Sequence, residues 1–214
     1  MTEQLEDGLE EPRIRDLGKG AYIDYFPTWM PNEDANTALQ AFIDELDWSE
    51  VSIRAKEKIV VQPRLTAWAG ALPYRYSGQT LPPRPVPNRL QSLLSAVIAT
   101  TGVEYNHAVI NYYRHGNDHM GMHADDEPQL GRNPNIAAIS LGAVRTFVLL
   151  PKGRKRYWVR YRLAHGSLLV MRGTVQHRWY HGVPKATVAN EQAKPVGPRI
   201  NVTFRRLLGE PASV

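Results

Sequence analysis

Cysteine is absent from the 214-residue sequence. Disulfides, cysteine-ligated zinc and iron–sulfur clusters are thereby excluded, and any bound metal must be held by histidine and carboxylate. No apolar run approaches the roughly 20 residues that span a bilayer, so no membrane partner is expected. The opening stretch MTEQLEDGLEEPRIRD is polar and acidic, unlike a secretory or organelle signal. The expected compartment is the cytoplasm, or the nucleus in a eukaryotic source. No internal repeat or low-complexity tract is present, and a monomer is expected. Hydrophobic residues make up 43% and charged residues 22%, the composition of an ordinary globular domain. The formal charge of +5 hints at a polyanionic partner, although many basic proteins bind nothing acidic.

Domain organisation follows from the hydrophobic patterning. Residues 1–20 lack an apolar period and are expected to form a polar tail. A single domain over 21–208 follows, and 209–214 form a second tail. AYIDYF is a strand candidate. PNEDANTALQAFIDELDW is the clearest helix, with Asn32 as its cap and Ala35, Ala38, Leu39, Phe42, Ile43 and Leu46 on one face. NRLQSLLSAVIATTG is a second helix carrying Leu90, Leu93, Leu94, Val97 and Ile98 and stopping at Gly102. Beyond Val103 the pattern becomes a series of short strands rich in β-branched and aromatic residues. Two helices followed by many strands predict a mainly β (α+β) fold, a jelly-roll barrel braced by helices on one side.

The chemistry begins in NYYRHGNDHMGMHADDE, residues 111–127. In an extended strand, His123 and Asp125 share a face, whereas Asp126 points the other way and receives no ligand role. The pair is also what a solvated strand end carries, so a third donor is needed. QHRWYHGVP offers His177 and His181, which strand parity cannot separate. Two histidines and one carboxylate form the facial set of non-haem Fe(II) oxygenases, leaving positions open for co-substrate and O2. A rival set, His115, His119 and His123, needs a helix across glycines and is rejected. In PRINVTFRR, Arg199, Asn201, Thr203 and Arg205 share one strand face and Ile200, Val202 and Phe204 the other. Buried arginines need carboxylate partners, and a dicarboxylate ligand would serve two planar forks at once.

Two further stretches carry aromatic and basic residues. Trp68, Tyr74 and Tyr76, interleaved with Arg64 and Arg75, are either strand and core residues or a platform for a base with cations for phosphates. The run KGRKRYWVRYR sets Lys152, Arg154, Lys155 and Arg156 at a hairpin tip. Such a tip either guards a sheet edge or grips a phosphate backbone.

Taken in order, HADDE, WYHGVP and PRINVTFRR, together with NYYR, ISLGAVRTF and QPRLTAWAG…LPYRYSG, resemble the AlkB family of Fe(II)/2-oxoglutarate-dependent nucleic-acid dealkylases. The resemblance runs from about Tyr22 to Leu207 and is closest to the eukaryotic-type members that act on alkylated bases. It implies a double-stranded β-helix core, with His123, Asp125 and His181 as the Fe(II) ligands. The match at Trp179-Tyr180-His181 selects the last of these. It also implies that Asn111, Tyr113, Arg199, Asn201 and Arg205 hold 2-oxoglutarate, one arginine on each end of it. Residues 59–78 would be a substrate lid, with Trp68, Tyr74 and Tyr76 over a flipped base and Glu127 as an acid beside it. The implied activity is oxidative dealkylation of bases such as 1-methyladenine and 3-methylcytosine in DNA and RNA. The implied products are succinate, CO2 and formaldehyde. The stretch QPRLTAW lacks adjacent large apolar residues for a wedge, which points toward single strands. The same chemistry on tRNA bases or a protein side chain is one alternative. A non-catalytic nucleic-acid-binding barrel is the other, but it would need neither the iron set nor the arginine row.

Overall fold

The computed structural model describes residues 4–6, 11–55, 58–76, 79–156, 158–186 and 196–209, without the side chains of 4–6, 53–55, 58, 59 and 76. Two sheets face each other in a jelly-roll core. The larger holds eight antiparallel strands in the order β2 (Arg13–Gly18), β3 (Ala21–Phe26), β13 (Ser167–Gly173), β10 (Ile136–Gly142), β15 (Arg199–Arg205), β8 (His107–Tyr113), β5 (Lys58–Gly70) and β4 (Ser49–Ala55). The smaller is ordered β1 (Gln4–Glu6), β12 (Val159–Leu163), β11 (Arg145–Pro151), β14 (Trp179–Val183) and β9 (Met120–His123). A short hairpin, β6 (Tyr74–Tyr76) and β7 (Gln79–Leu81), stands apart from both.

Helices α1 (Asn32–Glu45) and α2 (Asn88–Thr101) cover the outer face of the large sheet. Ala35, Ala38 and Phe42 of α1 and Leu90, Leu93, Leu94 and Val97 of α2 are buried there, as their spacing requires. Truncating a buried Phe such as Phe42 costs about 3–5 kcal/mol. Helix α2 ends where Gly102 turns left-handed at φ 67°, a conformation with no steric cost for glycine. Asn32 is the first helical residue of α1 rather than its cap. The capping position is Pro31, which has no side-chain donor or acceptor.

Strand β15 explains the large sheet. Ile200, Val202 and Phe204 face the helices, and the arginine row faces the space between the sheets. Both faces are buried because β10 and β8 flank it and a layer covers each side. Its neighbour β8 alternates in the same way, with Ala108 and Ile110 outward and Val109 and Tyr113 inward. One sequence expectation of domain bounds differs from what is seen: residues 13–18, expected in the tail, form β2 and pair with β3. Residues 58–70, most of which belong to the stretch 59–78 expected as a substrate lid, form one long strand paired to β8 and β4, the strand alternative left open by the sequence. Its regular alternation is masked in sequence by Pro63 and the small residues Ala67, Ala69 and Gly70.

Candidate active site

Strands β9 and β14 carry two histidines to one point. His123 and His181 are register partners, with ring centroids 4.2 Å apart. Gly182 makes this approach possible, since a Cβ there would lie 2.9 Å from the Met120 carbonyl and 3.0 Å from that of Gly121. Asp125 is not on the strand that the H-x-D reading assumed. Strand β9 ends at His123, and Asp125 lies in the extended segment beyond it. Its backbone N–H donates to Gln176 Oε1 at 2.9 Å, which fixes the segment that carries the carboxylate to the two histidines. Gln176, fully buried on the short helix α3 (Val175–Arg178), carried no sequence signal. The same helix overturns the parity argument between His177 and His181. His177 lies exposed on α3, whereas His181 is buried on β14.

The donor atoms of His123, Asp125 and His181 lie within 4.8 Å of one another. His123 Nδ1 donates to the Gly121 carbonyl at 3.0 Å, which leaves the Nε2 lone pair facing Asp125 Oδ1 at 3.7 Å. His181 Nε2 stands 4.0 Å from Asp125 Oδ2. These separations are too long for hydrogen bonds. Two imidazole nitrogens and a carboxylate gathered this closely can hold a cation between them, so the residues fit a metal of the nitrogen–oxygen class. Burial resists ionisation of Asp125, but Arg205 and the two imidazoles outweigh it and hold the carboxyl at about 2. Burial pushes His181 down to about 3 and lowers His123 as well. All three groups are therefore in their metal-binding forms at neutral pH.

The two arginines of β15 separate here. Arg205 Nη2 donates to both oxygens of Asp125 at 3.0 Å, so the chain itself supplies one carboxylate partner. Arg199 lies toward the other end of the row. It donates to Ser140 Oγ at 2.9 Å and lies 5.1 Å from the Tyr113 ring centroid. Asn111, Tyr113, Arg199, Asn201 and Arg205 all line the cavity that contains the three donors. Asn111 Oδ1 accepts from Arg64 Nε at 2.8 Å. Arg64 is buried, not a surface cation for phosphate.

The residues expected over the substrate are scattered. Tyr74 is fully buried, edge-on to His107 at 5.0 Å and 5.8 Å from the Arg205 guanidinium. Glu127 is raised by burial and by the Asp125 charge, while the Tyr74 hydroxyl favours its ionised form. Gln129 stitches β6 to this segment, accepting from Arg75 N at 2.9 Å and donating to the Pro73 carbonyl at 3.1 Å. Trp68 is held elsewhere. Its indole N–H donates to the Pro82 carbonyl at 2.8 Å, and Arg84 lies 3.7 Å over the ring. The side chain of Tyr76 lies outside the described residues. Among those residues, His115 and His119 join no metal-binding group.

His107, behind Tyr74, is 2% exposed and neither ring nitrogen has a hydrogen-bond partner. Burial, aided by Arg205, pushes it to about 3. Free histidine titrates near 6.5. Between about 6.5 and 3 the unfolded chain thus binds more protons than the folded one, and the metal-free protein loses stability as pH falls through that window. His107→Leu is expected to remove about one proton from the uptake on unfolding near pH 5. Urea unfolding at several pH values measures it, and an unchanged slope would show that His107 is not held neutral.

Comparison with known proteins bears on the same residues. A family model, the 2OG-Fe(II) oxygenase superfamily, matches residues 23–205. Alpha-ketoglutarate-dependent dioxygenase alkB homolog 3 of Homo sapiens is 36% identical over 229 residues, 98% of this chain and 78% of that protein. DNA oxidative demethylase ALKBH2 of Bos taurus is 34% identical over 213 residues, 94% of this chain and 73% of that protein. The solved structure of OsALKBH1 shares the fold, with a TM-score of 0.61 at 14% identity over 91% of this chain and 100% of that one. With a family match and relatives that extend over most of its length, the chain belongs to the AlkB family of Fe(II)/2-oxoglutarate-dependent dioxygenases.

Proposed function

We propose that this enzyme repairs N-alkylated bases such as 1-methyladenine and 3-methylcytosine in DNA, and in RNA, by oxidative dealkylation. The observation that carries the reading is the convergence of three metal-donor groups beside Glu127 and Tyr74. Relatives named as an oxidative DNA demethylase and an alpha-ketoglutarate-dependent dioxygenase support it. His123, Asp125 and His181 hold Fe(II). With 2-oxoglutarate and O2, the bound iron supplies the oxidation of an N-alkyl carbon, releasing succinate and CO2. The hydroxymethyl group left on a methylated base then departs as formaldehyde.

The chain's own residues orient these partners. Arg199, beside Tyr113 and Ser140, takes the distal carboxylate of 2-oxoglutarate, with Asn111 and Asn201 along its length. Arg205 keeps Asp125 ionised and fixed. The damaged base is extruded into the site, at a cost smallest for lesions that cannot pair. Tyr74 and Glu127 receive it, and the carboxyl of Glu127 suits the positive charge of 1-methyladenine and 3-methylcytosine. Tyr76 completes the lid, and Trp68 steadies it from outside. The exposed Val60 and Val61, 44% and 52% accessible, are shorter than the side chains that wedge duplexes open, which supports a single-stranded substrate. No helix among the described residues is long and apolar enough to cross a membrane. The reading makes the protein a monomer of the cytoplasm, or of the nucleus in a eukaryotic source.

The test supplies Fe(II), 2-oxoglutarate, O2 and ascorbate with oligonucleotides bearing either lesion, as single strands, duplexes and RNA. Loss of one methyl mass with release of formaldehyde and succinate is expected. Succinate without repair would redirect the chemistry to tRNA bases or a protein side chain. Neither product would leave a binding barrel.

A further inference from the structure

Lys152 lies in the turn after β11, and its ammonium has two partners from distant parts of the chain. Nζ is 3.2 Å from Asp126 Oδ2 and 5.0 Å from the ring centroid of Tyr180. Asp126 follows Asp125, and Tyr180 precedes His181. The cation thus bridges the immediate sequence neighbours of two of the three metal-donor residues. Along the extended segment, Asp126 turns to Lys152 while Glu127 turns toward Tyr74. The turn is fastened to α3, because Lys152 N–H donates to the Arg178 carbonyl at 2.7 Å. Arg154, Lys155, Arg156 and Arg178 are all exposed around it.

Edge protection does not account for this arrangement. Strand β11 is interior to its sheet, between β12 and β14. Nor does stability, since an ion pair whose acid is 58% exposed contributes little. What the cluster offers is an accessible aromatic ring, Tyr180 at 39% exposure, under a lysine held by a weak internal anion. A nucleotide presents the matching pair of groups, a flat base and a phosphate.

We propose that Asp126, Lys152 and Tyr180 form a displaceable latch over the position of the nucleotide that adjoins the reactive base. The adjoining base stacks on the Tyr180 face that the ammonium now covers. Its phosphate takes Lys152 from Asp126, a stronger charge-assisted partner than an exposed carboxylate. The proposal rests on the reading of a nucleic-acid strand as substrate.

The test is binding of a fluorescent single-stranded oligonucleotide carrying 3-methylcytosine. It is measured against salt with the Fe(II)- and 2-oxoglutarate-loaded protein under anaerobic conditions. Lys152→Ala is expected to weaken binding about five-fold and to lower the slope of log affinity against log salt by about 0.7, one phosphate contact on a single strand. Tyr180→Ala is expected to weaken binding about ten-fold without changing that slope. Asp126→Asn is expected to tighten binding about two- to five-fold, and this gain vanishes in the Lys152→Ala background. Damage to the fold cannot produce a gain. Wild-type protein that binds, with an Asp126→Asn variant no tighter or a Lys152→Ala variant of unchanged slope, overturns the latch alone. Wild-type protein that turns over 2-oxoglutarate yet binds no oligonucleotide overturns the nucleic-acid reading and the latch with it.

Discussion

Replacing His181 with alanine is expected to abolish Fe(II) retention and 2-oxoglutarate turnover together. Its Nε2, 4.0 Å from Asp125 Oδ2, belongs to a group of three metal-donor residues whose ligand atoms lie within 4.8 Å of one another. The ring is buried beside Phe147, 5.6 Å between centroids. The remaining pair, a partly exposed His123 and Asp125, holds a metal poorly. The loss should exceed the roughly 10–100-fold that follows removal of a group merely supporting a ligand. Iron content after gel filtration and succinate release measure the two effects. Free imidazole, which fits the space vacated, should restore part of both. The control is His177→Ala, on the exposed face of α3, which should behave as wild type. Retained iron in His181→Ala, or lost iron in His177→Ala, would move the third ligand.

The two arginines of β15 are expected to fail differently. Arg205→Ala leaves Asp125, 1% exposed, without the guanidinium that grips both its oxygens. Removing one partner of a buried pair costs about 3–5 kcal/mol. Urea unfolding of the metal-free variant should show that loss, and Fe(II) should recover part of it by binding the folded state. Asp125 is held at about 2 in the folded protein, below the roughly 3.9 of a free aspartate. Its contribution is therefore present above pH 3.9 and fades as pH falls toward 2, and the variant should lack this acid-dependent component. Arg199→Ala should instead raise the 2-oxoglutarate requirement by about 30-fold or more with iron retention largely intact. Equal effects of the two substitutions on iron and on 2-oxoglutarate would show that the row does not divide its work.

Local periodicity determined a good deal of this protein from the residues alone. The inward row of β15 follows from two-residue alternation, which backbone geometry imposes on any strand whose faces are both covered. The apolar stripes of α1 and α2 and the stop at Gly102 follow from helical spacing and from the conformational freedom of glycine. Absence of cysteine restricted the metal donors to imidazole and carboxylate, and the motif series identified the family.

Only the tertiary structure decided which groups meet. Strand parity left His177 and His181 equivalent, and only the motif match at Trp179-Tyr180-His181 separated them. The physical reason, the one-turn helix α3 that breaks the assumed strand, is visible only in the structure. Asp125 reached the site through a loop anchored by Gln176, 51 positions away, not through the alternation of β9. Arg205 found its carboxylate 80 positions away, and Lys152 found Asp126 across 26. Face and period are properties of a few consecutive residues, whereas charge neutralisation depends on strand order and the closure of one sheet over the other. That order is set by the whole buried core, and no short stretch of sequence contains it.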